Sequence, residues 1–257
     1  MPELEVVLLL CAAAFLAGWV DAVAGGGGLI QLPALLILLP GATPAQVLAT
    51  NKLSSVFGTA VAASVYIRRV QPDLRTALPM AGVALAGSAA GAACASLLPE
   101  SAFRPLVLVL LVLVGAYTLR RPRLGDVQVL RFKGGRHLAA ALGAALGIGF
   151  YDGIFGPGTG SFLVFAMVAL MGYSFIQASA KARIVNLATN LGALAVFIPQ
   201  GAPIYGLGFA MAACNVLGGR LGAGTAISRG SGFVRVVFLV VVSVLVVRLA
   251  VDVARGT

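Results

Sequence analysis

One constraint dominates this chain: an aspartate–glycine break in apolar sequence that occurs twice. Residues 18–28 read GWVDAVAGGGG and residues 149–160 read GFYDGIFGPGTG. Asp21 and Asp152 stand 131 residues apart, and the same offset relates Pro72 to Pro203, Gly87 to Gly218, Gly91 to Gly222 and Arg104 to Arg235. A register held over half a chain marks two copies of one unit. In a membrane protein, two copies that each carry a broken segment point first to a transporter.

The membrane setting follows from composition. Apolar residues make up 60% of the 257 residues and charged residues 10%, with a mean hydropathy of +1.03. A soluble domain carries roughly 25% charged residues. Several runs reach the ~20 residues a bilayer span requires, and they lack the alternation of barrel strands, so they are helices. The first copy gives runs at 4–24, 29–39, 44–67, 76–98 and 103–119, and the second at 137–155, 160–172, 174–199, 204–227 and 233–251. The expected fold is an all-α polytopic membrane protein of about 8–10 transmembrane segments. Repeat 1 occupies 1–119, a basic linker 120–136 and repeat 2 137–257, and the two repeats form one integrated transport unit.

The runs at 29–39 and 160–172 rise only about 16–20 Å, too little to cross a ~30 Å hydrocarbon core. Each follows a glycine break, and Pro40 closes the first. They read as half-helices, broken or re-entrant, whose irregular backbone is tolerated only inside protein or against a water-filled cavity.

The net charge of +10 is concentrated in loops. The loops at 68–75 and 120–136 hold nine Lys/Arg between them, and the N-terminal stretch holds none. This distribution reads as topology and contact with anionic membrane lipids, with no nucleic-acid partner. Basic loops in the cytoplasm place the N-terminus and the C-terminus outside. Five runs per copy is an odd number, so the repeats are expected to be inverted. The acidic start MPELE lacks the basic n-region of a signal peptide, so the first run is expected to be retained as a span. Cys11, Cys94 and Cys214 sit in apolar runs as packing residues. Gly87-x-x-x-Gly91 and Gly218-x-x-x-Gly222 suit close helix packing within the bundle or a homodimer contact.

Charges inside the apolar runs locate the chemistry. They are Asp21, Lys52, Asp152, Lys181 and Arg183, with Arg220 nearer a helix end. Each costs about 2.5–3.5 kcal/mol at a span centre, so each needs a partner or a function. Lys52 and Lys181 follow the aspartates by 31 and 29 residues and read as near-equivalents. Ion pairs within each copy, Asp21 with Lys52 and Asp152 with Lys181, would permit burial. A substrate role for one or both lysines is compatible with that, and snorkelling to a headgroup is a third reading. The half-helices begin at Gly28-Leu29 and Gly160-Ser161, where free N–H groups and the helix dipole favour an anion. Gly27, Gly28, Gly158 and Gly160 allow close backbone approach. Thr159 and Ser161 offer hydroxyl donors, and Asn51, Arg183, Asn186 and Asn190 complete a polar, net-positive centre suited to a small anionic substrate. Asp21 and Asp152 either neutralise the cations or carry a coupling proton or cation. No nucleophile–base triad, metal-ligand cluster or nucleotide loop is present in the sequence, so no enzyme activity and no cofactor are expected.

These residues carry a resemblance. The segment DAVAGGGGLIQLP, ATNK at 49–52, DGIFGPGTG, and the AxAKARIVNLATN pattern that includes Lys181 resemble the TauE/SafE sulfite exporter family over nearly the whole chain. The resemblance implies secondary transport of a small, mainly sulfur-containing anion, such as sulfite, sulfoacetate or another organosulfonate, across a bacterial inner membrane. The rival from the residues is a passive small-anion channel with the same cationic centre.

Overall fold

The computed structural model describes residues 3–94, 125, 127–132 and 134–255. The run expected at 103–119, Arg104 and part of the 120–136 linker lie outside the described residues. The described residues form helices joined by short loops, with no strand among them.

α1 (Leu4–Ala24) stops at Gly25, whose φ of +86° turns its N–H back onto the Val20 and Asp21 carbonyls. That left-handed stop suits glycine because a side chain there is strained. α2 (Gly28–Leu38) is the first half-helix. α3 (Pro44–Val70) starts from a Thr43–Gln46 capping box with proline in its first turn, which fixes its start. α4 spans Leu74–Cys94 and α5 Gly134–Ile154. After the second break, α6 (Thr159–Phe165) continues as a π-helical turn, Ala166–Leu170. Ser174 caps α7 (Phe175–Phe197) by accepting from the Gln177 N–H. α8 (Tyr205–Arg255) breaks at Gly230, φ 76° and ψ −174°, so it is two helices, as the runs at 204–227 and 233–251 anticipate.

Among the described residues, four helical stretches are long and apolar enough to cross a membrane: Leu4–Ala24, Leu74–Cys94, Gly134–Ile154 and Tyr205–Val244, the last running through the Gly230 break. α3 and α7 are as long but more polar, and they carry Lys52, Lys181 and Arg183. Their position explains this. α7 is buried along nearly all its length, packed against α3, α4, α5, α6 and α8. A helix buried on most of its surface has little lipid face to define an apolar stripe, and α7 exposes Leu191 and Ala195 only near its C-terminal end.

The two copies pack by exchanged contacts. Gly18 on α1 lies against the Asn215 carbonyl of α8, and Gly149 on α5 lies against the Ala84 carbonyl of α4. Gly218 meets Phe15 and Trp19 of α1, while Gly87 meets Leu146 and Phe150 of α5. Gly222 meets Trp19 and Gly91 meets Phe150. A 131-residue shift with the copies exchanged converts each contact into its mate. None of these sites has room for a Cβ, so both small-residue motifs are used for packing within the subunit.

The breaks themselves meet. Gly25 and Gly160 are in backbone contact. The Ser161 N–H donates to the Gly25 carbonyl at 2.6 Å, and the Ser161 hydroxyl reaches the Ala24 and Gly25 carbonyls at 3.1 and 2.9 Å. The start of α6 thus satisfies the carbonyl end of α1. Two phenols brace the arrangement: Tyr66 donates to the Ala22 carbonyl at 3.0 Å and Tyr151 to the Pro157 carbonyl at 2.6 Å.

Candidate functional site

Between the two breaks lies a cavity of about 30 Å³. Its walls come from both copies: Asp21 with Asp152, Gly25 with Gly156, Gly27 with Gly158, Gly28 with Thr159, and Ser55 with Asn186, each pair related by the 131-residue shift. Asn51, Lys52, Gly160, Asn190, Asn215 and Ala17 complete it. A volume of this size holds only one or two waters.

Two of the ion pairs that cross between the copies stand at the breaks. Lys52 Nζ lies 2.5 Å from Asp152 Oδ2, with both side chains buried. Asp152 Oδ1 also accepts from the Thr159 hydroxyl at 2.7 Å. Arg183 Nη1 lies 2.6 Å from Asp21 Oδ2 and also donates to the Asp21 carbonyl. The Gly27 N–H reaches Asp21 Oδ1 at 3.4 Å. The pairs expected within each copy, Asp21–Lys52 and Asp152–Lys181, are therefore replaced by Asp21–Arg183 and Asp152–Lys52. The reason is rotational. The 131-residue shift carries Lys52 onto Arg183, whereas Lys181 is two positions earlier, roughly 200° round the helix.

Lys181 accordingly has a different role. Its ammonium donates to the Asp73 carbonyl at 2.8 Å, lies 3.6 Å from the Asp73 carboxylate and sits 4.8 Å from the Tyr173 ring centroid. The Thr76 hydroxyl, with help from Lys181, holds the Asp73 carboxyl below its usual range. The Tyr173 hydroxyl in turn bonds His137 Nε2 at 2.7 Å, and burial raises the phenol's pKa. This cluster ties α5 and α7 to the α3–α4 loop and does not line the cavity.

The remaining expected residues divide clearly. Asn51, Lys52, Gly27, Gly28, Gly158, Thr159, Gly160, Asn186, Asn190, Asp21 and Asp152 all line the cavity. Ser161 and Arg183 stand behind its wall. The Ser161 hydroxyl is committed to α1 carbonyls, and the fully buried Arg183 is committed to Asp21. Asn51 Oδ1 and Asn190 Nδ2 have no hydrogen-bond partner within the protein, so both are available to a cavity occupant. Neither half-helix start, Gly28 or Thr159, has a side-chain cap; backbone carbonyls take much of the first turn instead, with the Leu29 N–H donating to Gly26, the Thr159 N–H to Gly156 and the Ser161 N–H to Gly25. Sequence reasoning missed Asn215. Its amide donates to the Ala14 carbonyl at 3.1 Å and to Gln31 Oε1 at 3.0 Å. Its counterpart in the first copy is Ala84, so the repeat gave no signal, although an asparagine within an apolar span is itself one.

The family model described as sulfite exporter TauE/SafE matches residues 10–249. The chain belongs to the TauE/SafE family. Within it, the chain is 36% identical to the probable membrane transporter protein ORF9 of a Sinorhizobium species, over 96% of this chain and 94% of that one. It is also 36% identical to the probable membrane transporter protein YfcA of Escherichia coli K12, over 93% and 87%. A probable membrane transporter protein of Haemophilus influenzae is 33% identical over 97% and 96%. No solved structure matches. This TauE/SafE chain is thus a multi-pass membrane protein of a transporter family.

Proposed function

We propose that the cavity between the breaks is the central site of a secondary transporter. Its cargo is a small anion, sulfur-containing as in sulfite, sulfoacetate or another organosulfonate, moved across a bacterial inner membrane by alternating access. The copies act as inverted repeats about an axis through the cavity, with both termini on the outer side. The observation that carries this reading is the cavity lining: the same positions of both copies, one lysine, two uncapped half-helix starts and two unsatisfied asparagines. Transporters built from repeats bind at the repeat interface, where broken helices direct their ends at the cargo.

The geometry suggests how binding couples to movement. A cavity of about 30 Å³ admits water, so an anion of four or more heavy atoms enters only when the walls separate. Its oxygens replace Asp152 on Lys52 Nζ, and Thr159 is freed with the carboxylate. Because Lys52 belongs to the first copy and Asp152 to the second, anion binding loosens one copy from the other and biases the two arrangements differently. Asp152, once displaced, is positioned to take up a coupling proton.

Binding is tested by thermal shift with sulfite and sulfoacetate, since a ligand of the native state raises apparent stability. The intact protein gains stability, and a variant with Lys52→Met and Asp152→Leu, which keeps the cavity filled and neutral, does not. A full shift in that variant sinks the reading. In proteoliposomes, saturable uptake with counterflow is expected, and flux far above a carrier's turnover would make the site part of a channel.

A further inference from the structure

Arg220 stands outside the paired machinery. The 131-residue shift places Ala89 opposite it, and Pro199 and Gln200 opposite Arg68 and Arg69. Its neighbour Gly219 packs on the Gly58 carbonyl, near the middle of α3. Arg220 also precedes the Gly230 break by ten residues, about 15 Å of helix. Arg220 is nearer this end of its helix than the start at Tyr205, yet its guanidinium still begins well inside an apolar span. No ion pair involves it, Arg68 or Arg69 among the described residues, and all three are exposed. An unpaired charge at such depth is costly and marks a functional site.

The three arginines share one groove between α3 and α8, with a volume of about 720 Å³. Val61, Val65 and Leu221 form its apolar side, and Leu221 is 57% exposed. The hydroxyls in the groove donate to carbonyls of their own helices, so the guanidinium groups are the donors left for an occupant. Three cations beside an exposed apolar strip match a molecule with an anionic head and a hydrocarbon tail. Arg68 and Arg69 mark the end of the groove nearest the headgroups, and Arg220 reaches toward it from within the span.

We propose that this groove binds an anionic glycerophospholipid. Its phosphate is held by Arg220 with Arg68 and Arg69, and one acyl chain lies along Val61, Val65 and Leu221. The lipid would bridge α3 of the first copy, which carries Lys52, to α8 of the second. The groove is one-sided in the repeat, so it addresses a single leaflet, the one facing the basic 68–75 loop.

Native mass spectrometry of the purified chain in detergent, titrated with phosphatidylglycerol, phosphatidylcholine or glycerol 3-phosphate, tests this. The expected result is one retained phosphatidylglycerol, bound at least tenfold more tightly than phosphatidylcholine. In the R68Q/R69Q/R220Q variant that preference disappears, and the R68Q/R69Q variant, whose changes lie at the exposed end of α3, is intermediate. Equal phosphatidylglycerol binding by the intact chain and the triple variant overturns the proposal. Glycerol 3-phosphate that binds as tightly as the lipid and displaces it also overturns it, making the groove a site for soluble phosphates. The thermal shift with sulfite is read on the same variants. It persists whether or not the lipid is lost, so failure here is distinguishable from failure of the central anion site.

Discussion

Asp21–Arg183 and Asp152–Lys52 are the same interaction built twice, and the differences between them separate scaffolding from function. Arg183 is enclosed: its exposure is 0%, it bonds both the carboxylate and the carbonyl of Asp21, and its Nη2 lies against Gly160. Its Nη1 reaches two oxygens of one residue and so ties the end of α1 to α7 beside the start of α6. Lys52 instead presents a single ammonium to the cavity, with Asp152 as its one ion-pair partner there. A lysine is a rotatable point charge that exchanges one oxygen ligand for another more readily than a planar group fixed by the surrounding packing. One copy supplies a clamp and the other a contact that can be handed to a cargo.

The largest expected effect is the loss of the clamp. Arg183→Ala leaves Asp21 without its cation and opens the junction of the breaks, a loss of about 3–5 kcal/mol for a broken buried pair. It should appear as aggregation in size-exclusion chromatography. Lys52→Ala destabilises within the same range. Replacing both members of a pair with apolar residues separates the two roles, because such swaps are often neutral. Lys52→Met with Asp152→Leu should recover folding and remain unable to bind sulfite. Arg183→Met with Asp21→Leu should recover less, since the bond to the Asp21 carbonyl is lost as well. Identical behaviour of the two double variants in thermal melts would erase the distinction.

Glycine positions sharpen the comparison next. Gly25→Ala combines a φ of +86° with a collision against the Gly160 backbone, and each effect costs about 1–3 kcal/mol. Gly18→Ala and Gly149→Ala meet equivalent carbonyls, Asn215 and Ala84, and their melting temperatures should fall together. A fall at one alone would break the equivalence of the copies.

The smallest effects lie at the Lys181 cluster. Lys181→Ala removes a bond to a carbonyl and should cost about 1–2 kcal/mol while leaving the sulfite shift intact. Asp73→Asn should cost no more than about 1 kcal/mol, because the carboxylate is half-exposed and solvent-screened. The sign follows from the direction of its pKa. The folded protein holds the Asp73 carboxyl below its ordinary value, so its contribution is present at neutral pH and is lost as pH falls below about 4. Melting curves of the Asn variant should converge on those of the parent at that acid end.

Legibility differed by residue. The breaks, the half-helices and most of the cavity lining were readable, because Asp21 and Asp152 with their glycines repeat at one offset and no soluble role explains them. The charge partners were not readable. Proximity along the chain pairs each aspartate with the lysine of its own copy, whereas the helices place each copy's cation beside the other copy's break. Choosing between Lys181 and Arg183 needed the helix rotation that two residues impose. Ser161 pointed to the right junction but the wrong partner, since its hydroxyl meets the Ala24 and Gly25 carbonyls. The polarity of α7 was legible as a run of residues, and the burial of most of its length was not, because that burial depends on neighbours from both copies.

The cap that Ser161 places on the end of α1 has a consequence for how the chain is made. Its donor and acceptor are separated by 136 residues. At 5–20 residues per second, the ribosome delivers Ser161 roughly 7–27 s after Gly25. Both segments leave the ribosome with the same lag, so the first glycine break reaches the bilayer earlier by that interval than the partner that completes it. The first copy is therefore an unfinished half at the insertion machinery, and its assembly is timed by translation of the second.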